Sequence, residues 1–218
     1  LRDPETRKQY RAQLDQFDQK LEISRRELAE RQLILAPLQA RVGQDALVPE
    51  IKLALLEQIL EIDAGNGNIL VELVFYSAMN EEWDRSLEFA RRYLALEGRE
   101  NLGRLRVGLL AAEILAKIDR RQEAQAELRS YQIKTRDAWY RLVADGLLYP
   151  PKEKLLAEKA GESPEFVLTG HVALAFWAES AGDKSKAIDH YREALGSYMD
   201  DMIEYDFAVE RIKSLRRK

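Results

Sequence analysis

The sequence predicts an all-α fold, an array of antiparallel helical hairpins. Three observations point to it. Residues 5–35 contain no glycine or proline and are rich in Gln, Glu, Arg, Leu and Ala, the composition of one long helix. In residues 168–201 small side chains stand where two helix backbones must approach, Ala175 on one stretch and Ala187 and Ala194 on the next. Between those stretches lie Gly182, which adopts the left-handed conformation at little steric cost, and Asp183, which can cap the helix that follows. At 218 residues, an array of this kind behaves as one elongated domain.

The long N-terminal helix occupies residues 1–42. Leu14, Leu21, Leu28 and Leu35 recur every seven places, with Tyr10, Phe17 and Leu38 between them, whereas Ser24 and Arg31 interrupt the same seam. Two readings stay open: self-pairing into a coiled-coil-like homodimer, or a helix lying back on the hairpins with Leu14, Phe17 and Leu21. Pro37 is expected to kink or end this helix, because its ring removes a donor and restricts Ala36. The opening residues read Asp3-Pro4-Glu5-Thr6-Arg7-Lys8-Gln9-Tyr10. They resemble the closing segment of a J-domain, which implies a co-chaperone whose J-domain precedes this stretch. Asp3 capping a helix with Pro4 at its first position gives the same letters a local meaning.

Hairpins are expected over residues 46–218. Residues 49–63 read as the second helix of a hairpin, with Ala64, Gly65 and Asn66 as a turn. One unit spans 67–100, with Trp83 opening its second helix, Ser86 at the small place, and Leu87, Ala90, Tyr93 and Leu94 inward. After an insertion at 101–104, another spans 105–138, with Ala112, Ala124 and Leu128 at corresponding places, and Asp119 where glycine is usual. Register is lost over about 139–166, a degenerate hairpin holding Trp139, Leu142, Val143 and Leu147 and then, past Pro150 and Pro151, Leu155, Leu156 and Ala160. Residues 199–216 form a capping helix, with Met202, Tyr205, Val209 and Ile212 as its apolar stripe.

Within 168–201, Ala175, Gly182, Ala187, Tyr191, Ala194 and Leu195 occupy signature places of a 34-residue unit. The segment resembles the tetratricopeptide-repeat (TPR) family, as do 67–100 and 105–138. The resemblance implies a right-handed hairpin solenoid that acts as a non-catalytic adaptor and holds a helix or extended peptide on a concave wall. It places Asn68, Val71, Phe75, Arg106, Leu109, Glu113, Thr169, Val172, Phe176 and Glu179 on that wall, with Ala78 and Ala116 beside them. One subfamily grips chaperone tails with Lys and Asn at the first two of these places and Lys and Arg further on, a pattern that Asn68, Val71 and the residues after them do not match. A client-holding module of a J-domain co-chaperone is the alternative function.

Chemistry is sparse. A net charge of −4 argues against general polyanion binding, so no nucleic-acid partner is expected, only a protein or peptide. The basic tail with Arg211, Lys213, Arg216, Arg217 and Lys218 complements a helix C-terminus, and Asp200, Asp201, Glu204 and Asp206 suit a helix start. Without cysteine there is neither a disulfide nor a thiolate site. His171 and His190 lack metal-ligand spacing, Asp63–Asn68 lacks the pattern of a calcium or phosphate loop, and no nucleophile elbow occurs. No enzyme, metal or cofactor is expected. No apolar run is long enough to span a membrane. The expected setting is soluble and cytoplasmic, or the soluble part of an anchored or exported protein, since a start at Leu1 reads as a processed or cut end.

Overall fold

A computed structural model describes residues 20, 26–27, 29–42, 49–96 and 101–217, and every element among them is helical. The protein is all-α. The J-domain-like residues 1–10, and Leu14, Phe17, Leu21 and Leu28 of the heptad seam, lie outside the described residues.

Helix α1 is described over 29–42 and runs through Pro37 rather than ending there. The carbonyl that Pro37 orphans belongs to Leu33, which is 77% exposed, so water can satisfy it. Leu35 is buried, and Leu38 and Val42 pack on the main core. Val42 and Gln39 border Ile59 of α2 (Pro49–Ile62) and Ile69 of α3 (Gly67–Met79), so this end of α1 lies beside the first helices.

Asn66 caps α3 by accepting from the Ile69 N–H at 3.2 Å. Its partner α4 (Trp83–Ala95) closes on it through Ser86, fully buried, whose hydroxyl donates to the Val74 carbonyl at 2.7 Å. The expected insertion at 101–104 is instead the opening of α5 (Leu102–Lys117), because Asn101 accepts from the Arg104 N–H at 2.9 Å and starts the helix there. Helix α6 (Arg121–Lys134) follows.

The stretch without register folds as α7 (Ala138–Leu148) and α8 (Pro150–Ala160), joined at Tyr149 with proline opening the second helix. They close tightly because Gly146 has no side chain: a Cβ there would lie 2.7 Å from a Leu156 methyl. Helix α9 (Pro164–Ser180), capped by Ser163, starts four residues before Leu168, and Asp183 caps α10 (Lys184–Leu195) by accepting from the Lys186 N–H at 3.1 Å. The last helix, α11 (Ile203–Arg217), begins after the connection 196–202.

The α3–α4, α5–α6 and α9–α10 turns share one geometry. Glu81, Asp119 and Gly182 take positive φ of 62°, 62° and 82°. In each, the next residue's N–H reaches back five places, from Glu82 to Ser77, Arg120 to Leu115 and Asp183 to Ala178. This is the six-to-one closure that ends a helix while satisfying a terminal carbonyl. Asp119 therefore preserves the turn that glycine makes at 182, against the steric preference of a residue with a Cβ.

Helices α3, α5 and α9 adjoin in sequence along the inside, and α11 packs on α10, α9 and back onto α3. The inner helices thus close a ring of four. A second core, around Trp139, Leu128 and Leu156, fastens α7 and α8 outside it.

Candidate interaction surface

The residues expected on an open concave wall are mostly buried: α11 packs against Phe75, Arg106, Phe176 and Glu179, whereas Leu109 lies in the second core and Thr169 accepts from the Trp139 indole. Phe75, Leu109, Glu113, Thr169, Val172, Phe176 and Glu179 are buried, as are Ala78 and Ala116. Val71 and Arg106 are half-buried, and only Asn68 is exposed. One of the readings left open laid the N-terminal helix on the hairpins through Leu14, Phe17 and Leu21, which lie outside the described residues; among the described residues α11 packs against Phe75 and Phe176.

Phe207 is the centre of the contact. Fully buried, its ring meets Phe176 edge-on at 5.4 Å, Phe75 at 6.1 Å and Tyr191 at 6.3 Å between centroids. Edge-to-face packing sets the electropositive edge of one ring against the electronegative face of another. Ala208 fits without a gap, and Ile212 and Leu215 extend the buried face toward the C-terminus.

Charges flank this aromatic socket. Toward the start of α11, Glu204 receives both arms of the Arg106 guanidinium, which also sits 5.6 Å from the Phe75 ring. Burial pushes the Glu204 carboxyl up, against the pull of Arg106. One turn past Phe207, Arg211 is 1% exposed. It donates to Glu179 at 2.6 and 3.2 Å and to Glu81 at 3.1 Å, over the face of Trp83 at 5.2 Å. Lys117 lies 2.9 Å from Glu179, and the Tyr191 hydroxyl donates to that same carboxylate at 3.1 Å. Burial would push Glu179 up, but Arg211 and Lys117 outweigh it and hold the carboxyl below its usual range. Ser214 also donates to Glu81.

The face that α11 buries differs from the expected stripe. Met202, Tyr205 and Val209 are only half-buried, and the residues turned inward are Glu204, Phe207, Ala208, Arg211, Ile212 and Leu215. A hydrophobicity pattern rejects that face because two of its members are charged. The discoverable signal was Phe207, the most apolar ring in the segment, lying off the assigned stripe. Arg211 and Glu204 were read as dipole partners in water, and each is instead an ion-pair partner within the fold.

Between α11 and the second core lies a cavity of about 30 Å³, bounded by Arg106, Glu113, Tyr140, Thr169 and Glu204. The Glu113 Oε1 and Tyr140 hydroxyl have no hydrogen-bond partner among the described residues, and a space this size accommodates one or two waters. Burial pushes the Glu113 carboxyl well up. Thr169 is occupied elsewhere, accepting from the Trp139 indole at 2.9 Å and donating to the Glu165 carbonyl at 2.8 Å.

On the outer face, a trough of about 400 Å³ separates α4 from α6, floored by Leu87, Leu105, Ala112 and Leu115 of α4 and α5. Thr135, nearly fully buried at its end, has a hydroxyl without a partner among the described residues. His171 and His190 meet through their Nδ1 atoms at 3.1 Å, and His190 Nε2 lies 3.8 Å from Glu153. Among the described residues no three potential metal ligands cluster, and no helix is long and apolar enough to cross a membrane.

No protein-family model matches the sequence, and no curated protein matches it.

Proposed function

We propose that this chain is a non-catalytic protein-interaction scaffold, a solenoid of tetratricopeptide-like hairpins whose inner wall receives an amphipathic helix. The observation that carries it is Phe207 of α11 seated among Phe75, Phe176 and Tyr191, three rings contributed by α3, α9 and α10. A wall that holds one helix by a deep aromatic anchor has the form of helix-in-groove recognition. The three matching turns at Glu81, Asp119 and Gly182 support the repeat reading independently. In this state α11 is the resident occupant, and a partner helix competes with it.

Glutamate at Phe75 or Phe176 is no clean test, since each would bury an unpaired charge. Phe207→Ala weakens the resident helix instead, and a fluorescein-labelled peptide of residues 199–217 then probes the vacated seat. Saturable anisotropy binding to the folded variant, weaker to the unaltered chain because the tethered helix competes, is the expected result. A folded variant with unchanged circular dichroism and no peptide binding defeats the proposal.

A further inference from the structure

Resting on the reading of the inner wall as a helix seat, we infer that the wall selects its partner by charge placement: the occupant is an amphipathic helix carrying an acid, an aromatic ring and an arginine at relative positions 0, 3 and 7. Glu204, Phe207 and Arg211 carry that pattern in α11. At about 100° per residue these three project within about 60° of one another, and at about 1.5 Å per residue they span about 10 Å.

Each position meets a different part of the array. The acid meets Arg106 on α5, the ring meets Phe75 and Phe176 on α3 and α9, and the arginine meets Glu179 on α9 and Glu81 in the α3–α4 turn. One helix therefore reads three hairpins together. Three of the charges involved are out of water, Arg211 at 1% exposure and Glu179 and Glu204 at 4% each, while Arg106 and Glu81 are half-buried. Buried pairs of this kind contribute little net stability over apolar replacements, yet a missing partner leaves an uncompensated buried charge. A helix without the acid leaves the half-buried Arg106 without its carboxylate, and one without the arginine leaves the buried Glu179 with Lys117 and the Tyr191 hydroxyl alone. Reversing the direction of the helix sets its acid near Glu179 and its arginine near Arg106, so polarity is selected along with sequence. Slipping by one residue turns the arginine about 100° away from both carboxylates. A helix whose sole task was to cover the array's end would turn such charges to solvent, as Lys213 and Arg216 do on the same helix.

The test is charge exchange. Full chain carrying Phe207→Ala is titrated with the labelled 199–217 peptide and with that peptide carrying Glu204→Arg. The exchanged peptide binds about tenfold or more weakly. Adding Arg106→Glu to the chain reverses the preference, favouring the exchanged peptide. Equal affinity for the two peptides overturns the charge code while leaving the helix seat standing; binding of neither overturns the seat itself. If Phe207→Ala does not fold, the melting temperatures of Arg106→Glu, Glu204→Arg and their combination in the otherwise unaltered chain decide it. Recovery of at least half the summed loss in the double variant supports the code, and additive losses overturn it.

Discussion

The inner and outer faces of these hairpins solve burial in opposite ways. Inside, α11 packs on the wall, and charged side chains are enclosed with partners: Arg211 with Glu179 and Glu81, Arg106 with Glu204. Outside, α6 buries only Ala124 and Leu128, leaves Ile133 82% exposed, and stands apart from α4 across a trough. Its ion pairs, such as Arg120 with Glu123, lie in solvent. An enclosed charge is costly to strand, whereas an exposed pair is screened and worth little. Removing one partner on the inner face is therefore costly, and the outer face tolerates change.

Replacing one arginine on each face breaks this contrast most sharply. Arg211→Ala removes the doubly bonded partner of the buried Glu179, leaving it Lys117 and Tyr191, and costs about 3 kcal/mol in urea unfolding, whereas Arg120→Ala leaves the midpoint unchanged. Equal effects would erase the distinction. Next in size is packing: Ala187→Leu overfills the fully buried α9–α10 contact at a cost of about 1–3 kcal/mol, while Ala126→Leu on exposed α6 does nothing measurable by thermal melting. Asp119→Gly relieves a positive φ in the turn that Gly182 already makes cheaply, and stabilises by about 1 kcal/mol. In the outer trough, Thr135→Val removes an unpartnered buried hydroxyl at nearly constant shape, giving a gain of about 1 kcal/mol or less by the same measurement.

The last effect is a slope. Burial raises the Glu113 carboxyl, so the folded chain keeps a proton that the unfolded chain releases above the ordinary carboxylate range. Stability from this group is full below that range and declines as pH rises toward the folded value. Glu113→Gln removes the slope, so its melting temperature gains on the unaltered chain between pH 4 and 8. Parallel curves would show that Glu113 is ionised in the fold.

Much of the architecture was legible because its signals are local. Gly182 with Asp183 marks a helix stop and a start in adjacent residues, whereas the Ser163 cap that opens α9 was passed over in favour of a unit counted from Leu168. Asn101 was passed over as part of an insertion although it caps α5, because the expected repeat length outweighed a clear capping residue. Pro37 was read as a kink or an end, yet the cost of its missing bond depends on whether water reaches the carbonyl at Leu33, which neighbours decide. The candidate wall residues were placed by the TPR resemblance, and most of them are buried. The covering of Phe75 was not legible, because the helix that covers it is remote in sequence: Phe75 and Phe207 are brought together only by the return of α11.

By itself the sequence determined that the chain is helical and where the turns at Glu81, Asp119 and Gly182 fall, since propensity, capping and positive-φ tolerance act within a few residues. Only the tertiary structure decided which face of α11 is buried and what covers the inner wall. A charged side chain counts as solvent-facing until a partner from another hairpin arrives to neutralise it, and that partner's position is a property of the whole array.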